Sequence, residues 1–206
     1  MDSCLIATTK TAKFACQRPP LFKMIEVDHV ICDSLHLFLR ITDRLLLLLV
    51  SECRRQDGLN TIKQIKENNV HMMKLQKLLK DNNIFFSWKT DDNGHIIYPE
   101  LRGPEKVKLY SILNVPKLLP KFKYASKVQV IWDQFHQITE LLRNETFSKT
   151  EIKNLENKIR TWFGNFLEVY QTRSVTPYIH ILVHHVVNMI KMHGSLTHYC
   201  QQERMN

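Results

Sequence analysis

Three histidines near the C-terminal end of the sequence are the residues best suited to bind a metal: His180, His184 and His185. His180 and His184 are four residues apart and share one helical face, whereas His185 falls on the opposite, apolar side with Leu182 and Met189. One interpretation of His185 is therefore a hydrogen-bonded core histidine. The other is that neutral imidazoles bind zinc, which in structural sites takes four ligands, commonly Cys and His. The five cysteines are scattered without a CxxC pair, so the chain by itself does not supply a complete site.

Acidic residues give little indication of catalysis. Asp28 and Asp33 form the kind of carboxylate pair that two-metal phosphoryl transfer requires, but the sequence favours a loop acid and a helix cap for these two residues. Asp91 and Asp92 lie in a turn sequence that needs such residues for its backbone. The glycine-rich phosphate loops, the GxSxG elbow and the HExxH motif are all missing. These residues therefore predict no reaction.

Lysines dominate the middle of the sequence. The chain carries a formal charge of +9, and residues 58–124 hold 12 basic against 6 acidic side chains. One interpretation is a solvated helix face. The other is a surface that contacts phosphates, since lysines release counterions without base-specific geometry. The candidate DNA-binding residues are Lys63, Lys66, Lys74, Lys77, Lys80, Lys117, Lys121 and Lys123.

Composition places these residues in a folded domain. The chain has 206 residues, of which 44% are hydrophobic and 24% charged, so disordered and low-complexity classes are excluded. The longest apolar run, residues 45–50, is far below the roughly 20 residues that cross a bilayer, so no membrane partner is expected. An odd number of cysteines favours a reducing compartment, and we expect an intracellular protein.

Hydrophobic spacing predicts a mainly α fold: a bundle-like domain of about five main helices with one β-hairpin near 85–98. Residues 1–25 are expected to be irregular, 26–200 to form a single helical domain, and 201–206 to be a truncated C-terminal tail. Asp91-Asp92-Asn93-Gly94 is the hairpin turn signal, because Asn-Gly tolerates positive φ. Pro116 and Pro120 are expected to break the segment that follows the short helix at 103–113. The main helices are predicted at 33–55, 70–80, 126–143, from 149 after a Ser148–Glu151 capping box, and from 177 to a stop at Gly194.

Two segments together resemble a known family. Residues 18–22 (RPPLF) and 31–43 (ICDSLHLFLRITD) resemble a segment of uncharacterised animal and fungal proteins of transposon origin. Residues 175–186 (VTPYIHILVHHV), followed by Gly194-Ser195-Leu196, resemble their C-terminal signature. That signature is similar to the one in the vertebrate recombination-activating recombinase and in Transib-type DDE transposases.

The resemblance implies a role for particular residues. In that family a ribonuclease-H-like core holds two Mg²⁺ ions on three acidic residues, and a helical insertion interrupts the core. This chain resembles the insertion, so the two catalytic aspartates and a zinc-binding CxxC would lie before Met1. His180 and His185 match the family's two zinc-binding histidines. Glu203 is the candidate for the catalytic Glu, although the Gly of the family's pattern is absent from residues 201–206.

The implied pairing of His180 with His185 constrains the backbone conformation between them. Residues five apart in an ideal helix are separated by about 140° around the axis, so their side chains do not converge from one face. We therefore expect His180 to lie at or before the first helical turn, where Thr176-Pro177 allows a different direction. With two of four ligands the site would be incomplete, its imidazoles partly buried and neutral. We expect no stoichiometric zinc unless Cys16, Cys32 or Cys200 rebuilds the site.

The sequence therefore favours one function and leaves a second open. The first hypothesis is a remnant or partial transposase-like protein, catalytically inactive and nuclear, with non-specific DNA binding. The alternative is a helical protein-interaction module without a nucleic-acid role. Self-association of the chain is compatible with both hypotheses.

Overall fold

The computed structural model describes residues 31–58, 69–90, 96–97 and 100–197. The mainly α prediction is confirmed over these ranges. They contain α1 (Ser34–Gln56), α2 (Val70–Asp81), β1 (Lys89–Thr90), β2 (Ile96–Ile97), α3 (Gly103–Ile112), α4 (Val115–Leu118), α5 (Ala125–Leu141), α6 (Lys149–Tyr170), a 3₁₀ turn (Thr172–Ser174), α7 (Pro177–His184) and α8 (Val186–His193).

Local capping signals set the helix starts as predicted. The Asp33 carboxylate accepts a hydrogen bond from the Leu35 amide at 2.6 Å, so this acid is the cap of α1. Ser148 and Glu151 form the predicted capping box of α6, each side chain accepting from the other residue's amide. Hydrogen bonding to Ser148 also lowers the pKa of Glu151.

A single hydrophobic cluster includes buried side chains from all eight α-helices described. Its central pair is α5 against α6, where the fully buried Trp162 donates its indole N–H to the Ile131 carbonyl at 3.1 Å. Trp162 also packs against Phe135, with ring centroids 5.5 Å apart. α1 contacts α2, α3, α5 and α7, and α6 also contacts α7 and α8. Long helices with one apolar stripe each thus cover one core.

The hairpin predicted near 85–98 is not seen as a hairpin of that length. Residues 84–88 are in no strand, and the pairing among the described residues is limited to Lys89 opposite Ile97 and Thr90 opposite Ile96. The change of hydrophobic spacing before β1 has another cause. Phe86 is buried and meets Trp88 edge to face at 4.7 Å, while Phe85 is 77% exposed. An extended segment lying on a helical core produces the same period of two as a paired strand.

Two other predictions about helices were wrong. Pro116 does not break the chain but lies in the first turn of α4, where its missing N–H has no helical partner to lose. The segment from Pro177 to His193 is two helices, α7 and α8, divided at His185. The number of helices in the described ranges therefore exceeds the five expected. The segments predicted for 1–25 and 201–206 lie outside the described residues.

Candidate basic groove and histidine cluster

Three of the predicted lysines line one groove. Lys74 and Lys77 of α2 and Lys117 of α4 border a groove of about 560 Å³ between these two helices. All three lysines are exposed. The lining is completed by Leu78, Ile112, Leu118, Asp81 and Asn114. The structure thus brings cations that are 40 residues apart in sequence to one surface.

The position of Lys74 and Lys77 follows from the amphipathic pattern of α2. The helix buries Met72, Leu75 and Leu79, so residues at 74, 77 and 80 fall on its outer face. Lys80 is exposed too, one turn further along, but is not part of the groove lining.

A carboxylate from another helix fixes the start of α2. Asp57, at the C-terminal end of α1, accepts hydrogen bonds from the amides of His71 and Met72 at 3.0 and 2.9 Å. Its carboxylate also lies 2.7 Å from the His71 Nδ1, and its side chain is only 3% exposed. Asn69, the N-cap residue, makes no capping bond with its side chain. Asp57 therefore caps α2 from across the connection and ties it to α1.

The short helix α4 is held from both sides. The Asn114 side chain accepts from the Lys117 amide at 2.9 Å, and Gln129 of α5 accepts from the Val115 amide at 2.8 Å. Four residues are too few for a helix to persist alone, so these bonds and the burial of Leu118 position Lys117.

Of the other lysines predicted to bind DNA, some lie among the described residues and some do not. Lys121 and Lys123 are exposed just after α4, and the Lys123 ammonium lies 5.1 Å from the ring centroid of Tyr124. Arg55 lies over the Phe122 ring at 5.8 Å but is also bound to Glu52, which raises the pKa of its guanidinium. Lys63 and Lys66 lie outside the described residues.

The histidines form a second cluster. The Nε2 atoms of His180 and His185 are 3.3 Å apart, and the ring of His184 lies 4.6 Å from that of His180. The convergence implied for His180 and His185 is therefore present. Partial desolvation and the neighbouring His184 and His185 lower the pKa of His180.

The route to this convergence differs from the one predicted. The change of backbone direction is at His185, with φ −121° and ψ −34°, and not ahead of His180, whose amide bonds regularly to the Thr176 carbonyl. On the side expected to be apolar, Leu182 is buried, whereas His185 and Met189 are only half-buried. His180 is exposed and His185 half-buried, whereas both were expected to be partly buried.

The described residues do not supply a four-ligand zinc site. Within the described ranges, no group of three or more His, Cys, Asp or Glu is arranged to hold a metal ion. Burial raises the pKa of Cys32 to about 11 and that of Cys53 to about 12, so neither thiol readily becomes the thiolate that binds zinc. Cys16 and Cys200 lie outside the described residues, as do Asp28 and Glu203.

The Gly-Ser-Leu segment has a packing role that its motif did not indicate. Gly194 ends α8 with φ +80°, and Ser195 donates its hydroxyl to the Asn144 carbonyl at 2.7 Å. Ser195 and Leu196 are fully buried. The segment therefore connects the end of α8 to the residues that follow α5 through a hydrogen bond and buried side chains.

The positioning residues Asp57, Asn114 and Gln129 were missed by sequence reasoning. Asn114 preceding Val115-Pro116 is a recognisable cap-and-proline signal. The sequence marks Asp57 only as the end of α1, and Gln129 carries no signal at all.

Comparisons of this chain with protein-family models, with curated proteins and with solved structures found no match. Among the residues that the structure describes, no helix combines the length and apolarity that crossing a membrane requires.

Proposed function

We propose that this chain is a helical nucleic-acid-binding domain of transposase-like origin, without catalytic activity, that acts in the nucleus. The observation that carries the binding proposal is the convergence of Lys74, Lys77 and Lys117 on one groove. Among the described residues that line the groove, Asp81 is the only acidic one, so three lysines against one carboxylate give this lining a net positive charge. The transposase-like origin rests on the sequence resemblance at 175–196.

Lysine contacts of this kind predict binding that tolerates sequence and depends strongly on salt. Each neutralised phosphate releases counterions. The logarithm of the binding constant therefore falls with the logarithm of the salt concentration, with a slope of about −0.9 per contact for duplex DNA and about −0.7 for single strands. Three contacts therefore predict a roughly 20- to 40-fold loss of affinity between about 50 and 200 mM salt.

Fluorescence anisotropy at these two salt concentrations tests the proposal. The triple variant Lys74→Ala, Lys77→Ala, Lys117→Ala should lose most of the affinity and flatten the salt dependence. The matched control changes Lys149, Lys153 and Lys191 to Ala, since these exposed lysines carry the same charge and do not line the groove. Equal losses in both variants would show a non-localised charge effect and contradict the proposed site.

The alternative function is a helical protein-interaction module. No binding of any nucleic acid at about 50 mM salt would favour it, because electrostatic binding is strongest at low salt.

A further inference from the structure

The floor of the groove differs chemically from its rim. Leu118 belongs to the hydrophobic core, and Leu78 and Ile112 are half-buried and pack against it, so the part of the groove lining nearest the core is aliphatic. Core packing accounts for these side chains, and the partial exposure of Leu78 and Ile112 leaves apolar surface in the groove beside the lysines. An occupant that matches both parts carries an anionic group beside a less polar body.

The size of the groove limits the occupant. The groove is open to solvent, and its volume of about 560 Å³ is comparable with that of small-ligand sites, about 300–1,000 Å³. One wall is α4, whose four residues extend only about 6 Å. A bound peptide helix with anchors from i to i+7 needs about 10 Å of continuous groove.

Duplex DNA also fits this shape poorly. Its phosphates lie on a rigid convex surface, which reaches exposed lysines but does not enter a concave groove between two helices. A single strand is flexible, and its nucleotides present a phosphate together with the apolar faces of the sugar and base.

We propose that the groove between α2 and α4 holds one nucleotide unit of a single-stranded nucleic acid. This inference rests on the proposed function. Lys74, Lys77 and Lys117 contact the phosphates, and Leu78, Ile112 and Leu118 contact the sugar and base. Among the described residues of the groove lining there is no aromatic side chain, so we expect no stacking contribution from them and a modest affinity.

A groove-filling substitution separates this proposal from general electrostatic binding. Ile112→Trp places a bulky side chain in the groove and leaves the charge unchanged. Val107→Trp is the matched control, because Val107 lies on the same helix, is 41% exposed and does not line the groove. Thermal unfolding followed by circular dichroism checks that both variants remain folded.

The binding assay compares a 5′-labelled single-stranded oligothymidylate with a duplex of equal length at low salt. We expect the single strand to bind more tightly, and Ile112→Trp to weaken it about tenfold without changing duplex binding, while Val107→Trp changes neither. Thymidine monophosphate in the millimolar range should compete, because one unit fills the groove. Duplex binding as tight as single-strand binding, an unaffected Ile112→Trp variant, or no competition would each overturn the proposal.

Asp81 provides a test in the opposite direction. Its carboxylate lines the groove and repels phosphate, so Asp81→Asn should tighten single-strand binding about two- to fivefold. Unchanged or weaker binding would contradict an anionic occupant. If the protein bound an acidic peptide but no nucleic acid, and Ile112→Trp abolished the peptide binding, the groove would be a site for a protein partner and not for a nucleotide. If the unmodified chain bound neither single-stranded nor duplex nucleic acid, the proposed function itself would be refuted.

Discussion

Asp57 shows how a single side chain positions a functional surface. Its buried carboxylate accepts two backbone hydrogen bonds at the start of α2 and lies beside the His71 ring. Because α2 carries Lys74 and Lys77, the orientation of these lysines depends on an acid at the end of the preceding described helix.

Replacing Asp57 with Ala should lower the free energy of unfolding by about 2 kcal/mol, since it removes the cap and leaves two amides without their acceptor. Urea denaturation measures the change. Glu145→Ala, at an exposed loop position, is the control and should change stability by less than about 0.5 kcal/mol. Similar midpoints for the two variants would contradict the capping role.

The histidine cluster predicts how the stability of the fold changes with pH. Partial desolvation and two neighbouring histidines lower the pKa of His180 from its ordinary value of 6.5. A base with a depressed folded pKa binds fewer protons in the folded state than in the unfolded state. Its contribution to stability is therefore present above pH 6.5 and is lost as the pH falls through the folded pKa.

An NMR titration of the His180 ring checks this directly. His180 should titrate below 6.5, and its pKa should rise in His184→Asn because the electrostatic effect of His184 on His180 is removed. Titration of His180 at or above 6.5 in the unmodified protein would contradict the geometry of the cluster.

The shortest α-helix in the described ranges, α4, depends on contacts with its surroundings. It has four residues, and its first amide is bound by Gln129 of α5. The element that carries Lys117 is therefore stabilised by tertiary contacts and not by its own length.

Gln129→Ala should lower stability by about 1 kcal/mol and speed amide exchange in residues 115–119 more than elsewhere. Hydrogen–deuterium exchange with mass spectrometry gives this readout. The control is Gln134→Ala on the same helix, which removes a bond to Asn165 of α6 instead. Equal acceleration at 115–119 in both variants would show that Gln129 has no special role.

For the whole molecule, the proposal predicts binding without cleavage. Two-metal strand transfer needs a cluster of carboxylates that holds ions about 4 Å apart. The sequence resemblance supplies one candidate, Glu203, for that cluster.

Supercoiled plasmid incubated with the protein and Mg²⁺ or Mn²⁺ should therefore stay uncut. Gel electrophoresis detects nicked or linear products. Metal-dependent cleavage that Glu203→Ala abolishes would show an active nuclease and refute the prediction, whereas cleavage unchanged in that variant would indicate a contaminant.

The sequence alone determined the features that depend on neighbouring residues. Helix starts at Asp33 and Ser148 and the helix end at Gly194 followed from capping chemistry, which acts within one turn. The mainly α class followed from apolar periodicity, because a helix must bury one face. The excess of lysine was visible as well, but not where the lysines would meet.

Tertiary structure decided which distant residues meet. The groove needs α2 and α4 side by side, and Asp57 reaches α2 across residues that separate two helices. Lys106 shows the same effect, since it is only 2% exposed and pairs with Asp43 of α1 at 2.7 Å. The helix is divided at His185 without a glycine or proline in the sequence to mark the position. The division allows α7 and α8 each to pack against α6. Such outcomes depend on packing between segments far apart in the chain, which local spacing does not encode.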